Sequence, residues 1–179
     1  MLKVKFTPST FRPAAIHQIT GYTPEQQRDL RKRGYGSDPV EGWSEASLWD
    51  AARLLFVRTL RDSNIELAKA WQLANEEVLG AIIVHACRQP TAIQDETGED
   101  LFGKNPSYRS KAAFDVTGMR AVAGPIFAWG PALSAGAYAS VDHAKKETKA
   151  VAVISFISLP DLGALMAERA GVLAIMERR

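Results

Sequence analysis

The sequence is poor in cysteine, in histidine and in uninterrupted apolar stretches, and each shortage removes a class of protein. One cysteine, Cys87, among 179 residues leaves no partner for an internal disulfide. His17, His85 and His143 lie far apart without HxxxH or HExxH spacing, and no Cys/His cluster has zinc-ligand spacing. No metal or cofactor is expected. No segment approaches the roughly 18 consecutive apolar residues of a membrane helix, and MLKVKFTPST lacks a signal-type apolar run. The expectation is a cytoplasmic protein with no membrane partner. Signatures of catalysis are equally scarce. Ser134, in Leu133-Ser134-Ala135-Gly136, lacks the two-glycine nucleophile elbow. The Gly-Pro pairs at 124–125 and 130–131 have no accompanying Gly-Lys-Ser/Thr of a phosphate loop and read as shaping a hairpin or edge strand. An enzyme is not expected. Cys87 beside Arg88 has two readings, a thiol of lowered pKa or a small buried hydrophobe.

With 46% hydrophobic and 23% charged residues, the chain has enough apolar material for a core and too much for a disordered tail. The formal net charge of +2 conceals a segregation. Residues 1–40 carry seven Lys/Arg against three Asp/Glu, residues 41–100 five against eleven, and residues 101–179 ten against six. The densest positive stretch is Arg28, Arg31, Lys32 and Arg33. Taken alone, such a run is more often a solvated helix face than a binding surface, and its neighbours must decide. A second cluster, Lys145, Lys146 and Lys149, reads as a solvated loop.

Local signals divide the chain. Met1–Phe6 reads as a short strand or arm. Pro13 suits a first helical turn, Ile16 and Ile19 give an apolar stripe, and Gly21 supplies a left-handed stop. Thr23-Pro24-Glu25-Gln26 combines an N-cap hydroxyl, Pro at the first helical position and a capping-box Gln, so a second helix runs from Pro24 to Arg33 and stops at Gly34. After a turn or small β-loop, Ser44 is the candidate cap of a third helix carrying Leu48, Ala51, Ala52, Leu55 and Phe56, closed by Asp62-Ser63-Asn64. A fourth helix from Ile65 places Leu67, Trp71, Ala74 and Val78 on one side, and periodicity leaves open whether it stops at Gly80 or continues through AIIVHAC. The acidic stretch 89–105 reads as a loop and boundary. Beyond it, Ala112–Val116, Val122–Trp129 and Val151–Ile157 read as strands and Leu162–Ala170 as a terminal helix.

The order of helix, tight turn, capped basic helix, glycine-bearing loop, aromatic residue and long amphipathic helix is that of a winged helix-turn-helix. From Pro13 to about Trp71, AAIHQITGYTPEQQRDLRKRGY followed by GWSEASLWDAARLLFVRTLRDSNIELAKA resembles the MerR-type DNA-binding domain. The resemblance implies a recognition helix at 24–33, a wing at 34–43, and Arg28 in the place of the family's recognition-helix arginine. It departs from the family where Asp29-Leu30 replace two aromatics and where Ser44 follows Gly42-Trp43.

The expected fold is α+β: a mostly α winged helix-turn-helix at 1–80, a linker or helix/strand with acidic loop at 81–105, and a small α+β self-association or regulatory domain at 106–179. Thr23, Gln26, Gln27, Arg28, Arg31, Lys32, Arg33 and Trp43 are the candidate DNA-binding residues, because amides and guanidinium groups pair with base edges and phosphates. For Trp43, packing of the wing onto the third helix is favoured over direct DNA contact. The expected function is a sequence-specific transcriptional regulator on double-stranded DNA, acting as a homodimer. An excisionase-like architectural protein, and a sensor or interaction module that binds no DNA, are the alternatives.

Overall fold

A computed structural model of the chain describes residues 4–36, 45–101, 106–119, 124–130, 133–147 and 155–178, and in it the two ends of the chain meet in one sheet. Strand β1 (Val4–Pro8) pairs antiparallel with β6 (Ala174–Arg178), in a register from Val4↔Arg178 to Pro8↔Ala174. The short β2 (Ile93–Asp95) lies parallel on the other side of β6. Phe6 alternates inward and is fully buried.

The amino-terminal helices are α1 (Pro13–Thr20), α2 (Pro24–Lys32), α3 (Leu48–Asp62), α4 (Leu67–Leu73) and α5 (Glu76–Ala86). The cap of α3 stands three residues beyond the expected Ser44, which lies outside the described residues. Ser47 is the cap: its Oγ accepts from the Asp50 N–H at 3.1 Å, while Asp50 Oδ2 accepts from the Ser47 N–H at 3.0 Å. The expected fourth helix is two helices. The apolar spacing is unbroken across them, but Asn75 Oδ1 accepts from the Val78 N–H at 3.0 Å and starts α5 afresh. Helix α5 then runs through Gly80, and every residue from Val78 to Val84 is buried. Residues 81–86, expected in a linker or a helix or strand, belong to this core helix.

After β2 the chain forms α6 (Pro106–Thr117), β3 (Ile126–Gly130), β4 (Leu133–Tyr138), α7 (Val141–Glu147), β5 (Ser155–Ser158) and α8 (Leu159–Ala170). The strand expected at Ala112–Val116 is therefore helix: Ala112, Ala113 and Val116 fall on one helical face and are buried, and Lys111 pairs with Asp115 one turn later at 2.9 Å. Asp115 Oδ2 also accepts the Phe6 N–H at 2.9 Å, tying α6 to β1. Strands β4-β3-β5 form a second, antiparallel sheet. Val122 and residues 151–154 of the other two expected strands lie outside the described residues. The expected terminal helix begins earlier, capped by Ser158, and β6 follows it.

The main hydrophobic core extends from Phe6 to Met176, and a small separate cluster holds Ala128, Tyr138 and Ala144. Helix α5 packs most extensively on α8, where the backbones approach so closely that a Cβ on Gly163 would stand 2.7 Å from the Ile82 carbonyl oxygen. Helix α8 also packs on α1, and Arg169 Nη1 donates to the Ile19 carbonyl at 3.0 Å. This core draws residues from both sides of 81–105. Among the described residues no helix is long and apolar enough to cross a membrane.

Candidate nucleic-acid interface

The turn between α1 and α2 is set by local chemistry. Gly21 takes φ 77°, a left-handed conformation suited to glycine, and its N–H donates to the His17 carbonyl at 2.8 Å. Tyr22 then buries its ring, and Thr23 caps α2: its Oγ1 accepts the Gln26 N–H, while Gln26 Oε1 accepts the Thr23 N–H at 2.9 Å. At the far end Gly34 takes φ 80°, and the N–H groups of Gly34 and Tyr35 donate to the Arg31 and Leu30 carbonyls, both at 2.9 Å. This paired arrangement stops the helix where glycine relieves the Cβ clash.

Of the residues expected to touch DNA, Gln27 is turned inward. It is only 7% exposed, and its Nε2 donates to the Pro13 carbonyl at 2.9 Å and to the Tyr22 carbonyl at 2.7 Å. Its amide fixes the angle between α1 and α2 instead of reading a base. The signal was present in the sequence: Gln27 stands three residues before the apolar Leu30, on the side a helix must bury. Arg31 is half-buried, whereas Arg28, Lys32 and Arg33 are exposed.

With about 3.6 residues per turn, Gln27 and Leu30 mark the packed side of α2 and leave Glu25, Arg28, Asp29 and Lys32 opposite. Arg28, Arg31 and Lys32 form a basic flank. Glu25 and Asp29 lie further round, and Asp29 pairs with Arg33 at 3.8 Å. That pair is exposed on both sides and contributes little to stability. Helix α2 packs chiefly on α1, and among the described residues Glu25, Arg28, Asp29 and Lys32 on its outward face are exposed. Trp43 and the rest of the expected wing from 37 to 43 lie outside the described residues. On either side of that segment, Phe11 and Ala46 exchange both backbone hydrogen bonds, at 2.9 and 2.8 Å, in an antiparallel bridge. The stretch before α1 and the stretch before α3 are thereby joined, and Thr10 hydrogen-bonds Glu45 beside them.

A cleft of about 370 Å³ separates α2 from the end of α3, with Tyr22, Asp29, Arg33 and Arg61 in its walls. Burial pushes the Tyr22 hydroxyl pKa up, against the opposing pull of Arg61 and Arg58, and the Arg58 guanidinium lies 5.6 Å from the ring centroid. A further group sits beyond the end of α2. Arg33 lies over Tyr35 at 5.8 Å, Tyr35 meets Trp71 at 5.2 Å between centroids, and Arg53 lies over Trp71 at 5.5 Å. Sequence reasoning missed this assembly because its members come from three separate segments; Trp71 carried only the signal of an apolar helical position.

The remaining candidates are not gathered into a site. Among the described residues no group of three or more His, Cys, Asp or Glu side chains is arranged to hold a metal. His17, His85 and His143 occupy three different helices. Burial lowers the His85 pKa, with Arg88 adding to the effect. Burial also pushes the Cys87 thiol up to about 12, overriding Arg88, so the buried-hydrophobe reading holds. Ser134 lies on β4 with its side chain outside the described residues. Lys145 and Lys146 are exposed on α7, and Lys149 is outside the described residues. Comparison with family models, curated proteins and solved structures gives no match.

Proposed function

We propose that the chain is a sequence-specific DNA-binding regulator of the MerR-like winged helix-turn-helix kind, with α2 as the helix that enters the major groove. The observation that carries this reading is the division of α2 between an anchored side and an open one. Gln27 and Leu30 hold the helix to the protein, while Arg28 and Lys32 stand exposed beside half-buried Arg31. A helix presented in this way offers cations to phosphates and guanidinium edges to guanine. The Phe11↔Ala46 bridge ties the stretch that leads into α3 to the stretch before α1, which fixes where the segment after α2 returns to the helices.

One α2 reaches few base pairs, so specificity at genomic scale requires two copies on paired half-sites. The exposed large apolar side chains among the described residues, Phe114, Phe156 and Ile175, all fall in 106–179, which supports self-association through that half. The test is a titration of labelled duplex with wild type and with Arg28→Ala/Lys32→Ala. The expected result is salt-sensitive binding that the double substitution weakens at least tenfold. Unaltered affinity would reject the role of α2, and a footprint on tandem repeats would favour an architectural accessory protein.

A further inference from the structure

We infer that Arg53 and Arg33, mounted on the ring pair Trp71 and Tyr35, form a second ledge that grips phosphates of the DNA backbone beside the end of α2; this rests on the DNA-binding reading above. The ledge joins three elements: Arg33 and Tyr35 at the end of α2, Arg53 in α3 and Trp71 in α4. Arg53 is the unusual member. It is partly buried, its Nε is buried without a hydrogen-bond partner, and among the described residues no carboxylate pairs with its guanidinium. A guanidinium held partly out of water with no carboxylate beside it among the described residues is costly, and its terminal nitrogens fit an anion that arrives with a ligand.

The geometry favours phosphate. A guanidinium set over an indole uses its face, and with Nε buried the two terminal nitrogens are left to donate to phosphate oxygens. Stacking also holds the side chain in one orientation before binding, so less conformational freedom is lost on contact. Arg33 extends the positive ledge to the exposed end of α2, where it is only loosely held by Asp29 at 3.8 Å. Because this contact reads backbone charge, it adds affinity to every sequence and positions α2 without choosing bases.

The experiment measures binding of a labelled random-sequence duplex across a salt series, for wild type, Arg28→Ala, Arg53→Gln and the exposed control Arg88→Gln. For Arg53→Gln the expected result is a several-fold weaker affinity, equal on all sequences, and a salt-dependence slope smaller by about one. Its melting temperature stays near that of wild type, and Arg88→Gln keeps the wild-type slope. If Arg53→Gln does not fold, Arg53→Lys carries the test: the slope is kept because the charge is, and affinity falls several-fold because the planar fork is lost. Undiminished affinity and slope in Arg53→Gln, with Arg28→Ala still impaired, would overturn the ledge alone and leave the DNA-binding reading standing. Absence of duplex binding by wild type would remove both. Equal binding of wild type to polyglutamate at the same salt would assign the ledge to acidic protein partners and overturn the phosphate role.

Discussion

Gln27 and Arg28 are adjacent and chemically suited to the same task, yet they face opposite ways, and their substitutions should separate cleanly. Gln27→Ala removes two buried hydrogen bonds and leaves the Pro13 and Tyr22 carbonyls without that donor. The expected loss is about 1–3 kcal/mol of stability, measured by chemical denaturation. Arg28→Ala exposes no cavity and breaks no contact among the described residues, so stability should stay within about 0.5 kcal/mol while duplex affinity drops. A large melting shift in Arg28→Ala would make that residue structural. Cys87 gives a pH prediction. Its folded pKa of about 12 lies above the ordinary 9.0, so the folded state holds the proton more tightly than the unfolded one. Stability from this group is fully present below pH 9 and is lost as pH rises from 9 towards 12. Denaturation at a series of alkaline pH values should therefore show a downward slope that Cys87→Ala flattens.

At the scale of elements, the start of α2 and the ends of α1 and α2 were legible. Thr23 with Gln26 gave α2, and Gly21 and Gly34 marked the ends of α1 and α2, because each signal lies within a few residues of the structure it specifies. The break between α4 and α5 was not legible, because Leu67, Trp71, Ala74 and Val78 continue one apolar stripe past Asn75. Helix α6 was misread as strand because a short apolar run fits both periodicities, and only its packing on β1 and α5 decides. Strand β6 gave no reading at all, since its partners β1 and β2 lie far back along the chain. The candidate interface divided in the same way: the outward cations of α2 were readable, whereas the Tyr35–Trp71 stack exists only through tertiary contact. The α5–α8 crossing supplies a test at this scale. Gly163→Ala places a Cβ against the Ile82 carbonyl and the Ala86 nitrogen, both backbone atoms that cannot swing aside, and should lower stability by about 1–3 kcal/mol.

For the whole molecule, the helices that present α2 are braced by the carboxyl-terminal half. Arg169 reaches the end of α1, α8 packs on α1 and α5, and β6 pairs with β1. A fragment of residues 1–80 loses these partners together and should melt without a cooperative transition, as followed by circular dichroism. Cooperative melting of that fragment would show that the amino-terminal helices need no such support. Whether the open face of α2 lies against duplex DNA is decided by selection from a random duplex library with the 179-residue chain. Wild type should enrich a defined motif, arranged as two inverted half-sites, and Arg28→Ala should enrich none above background. Recovery of unenriched sequences by wild type, or the same motif at the same strength from Arg28→Ala, would contradict that placement.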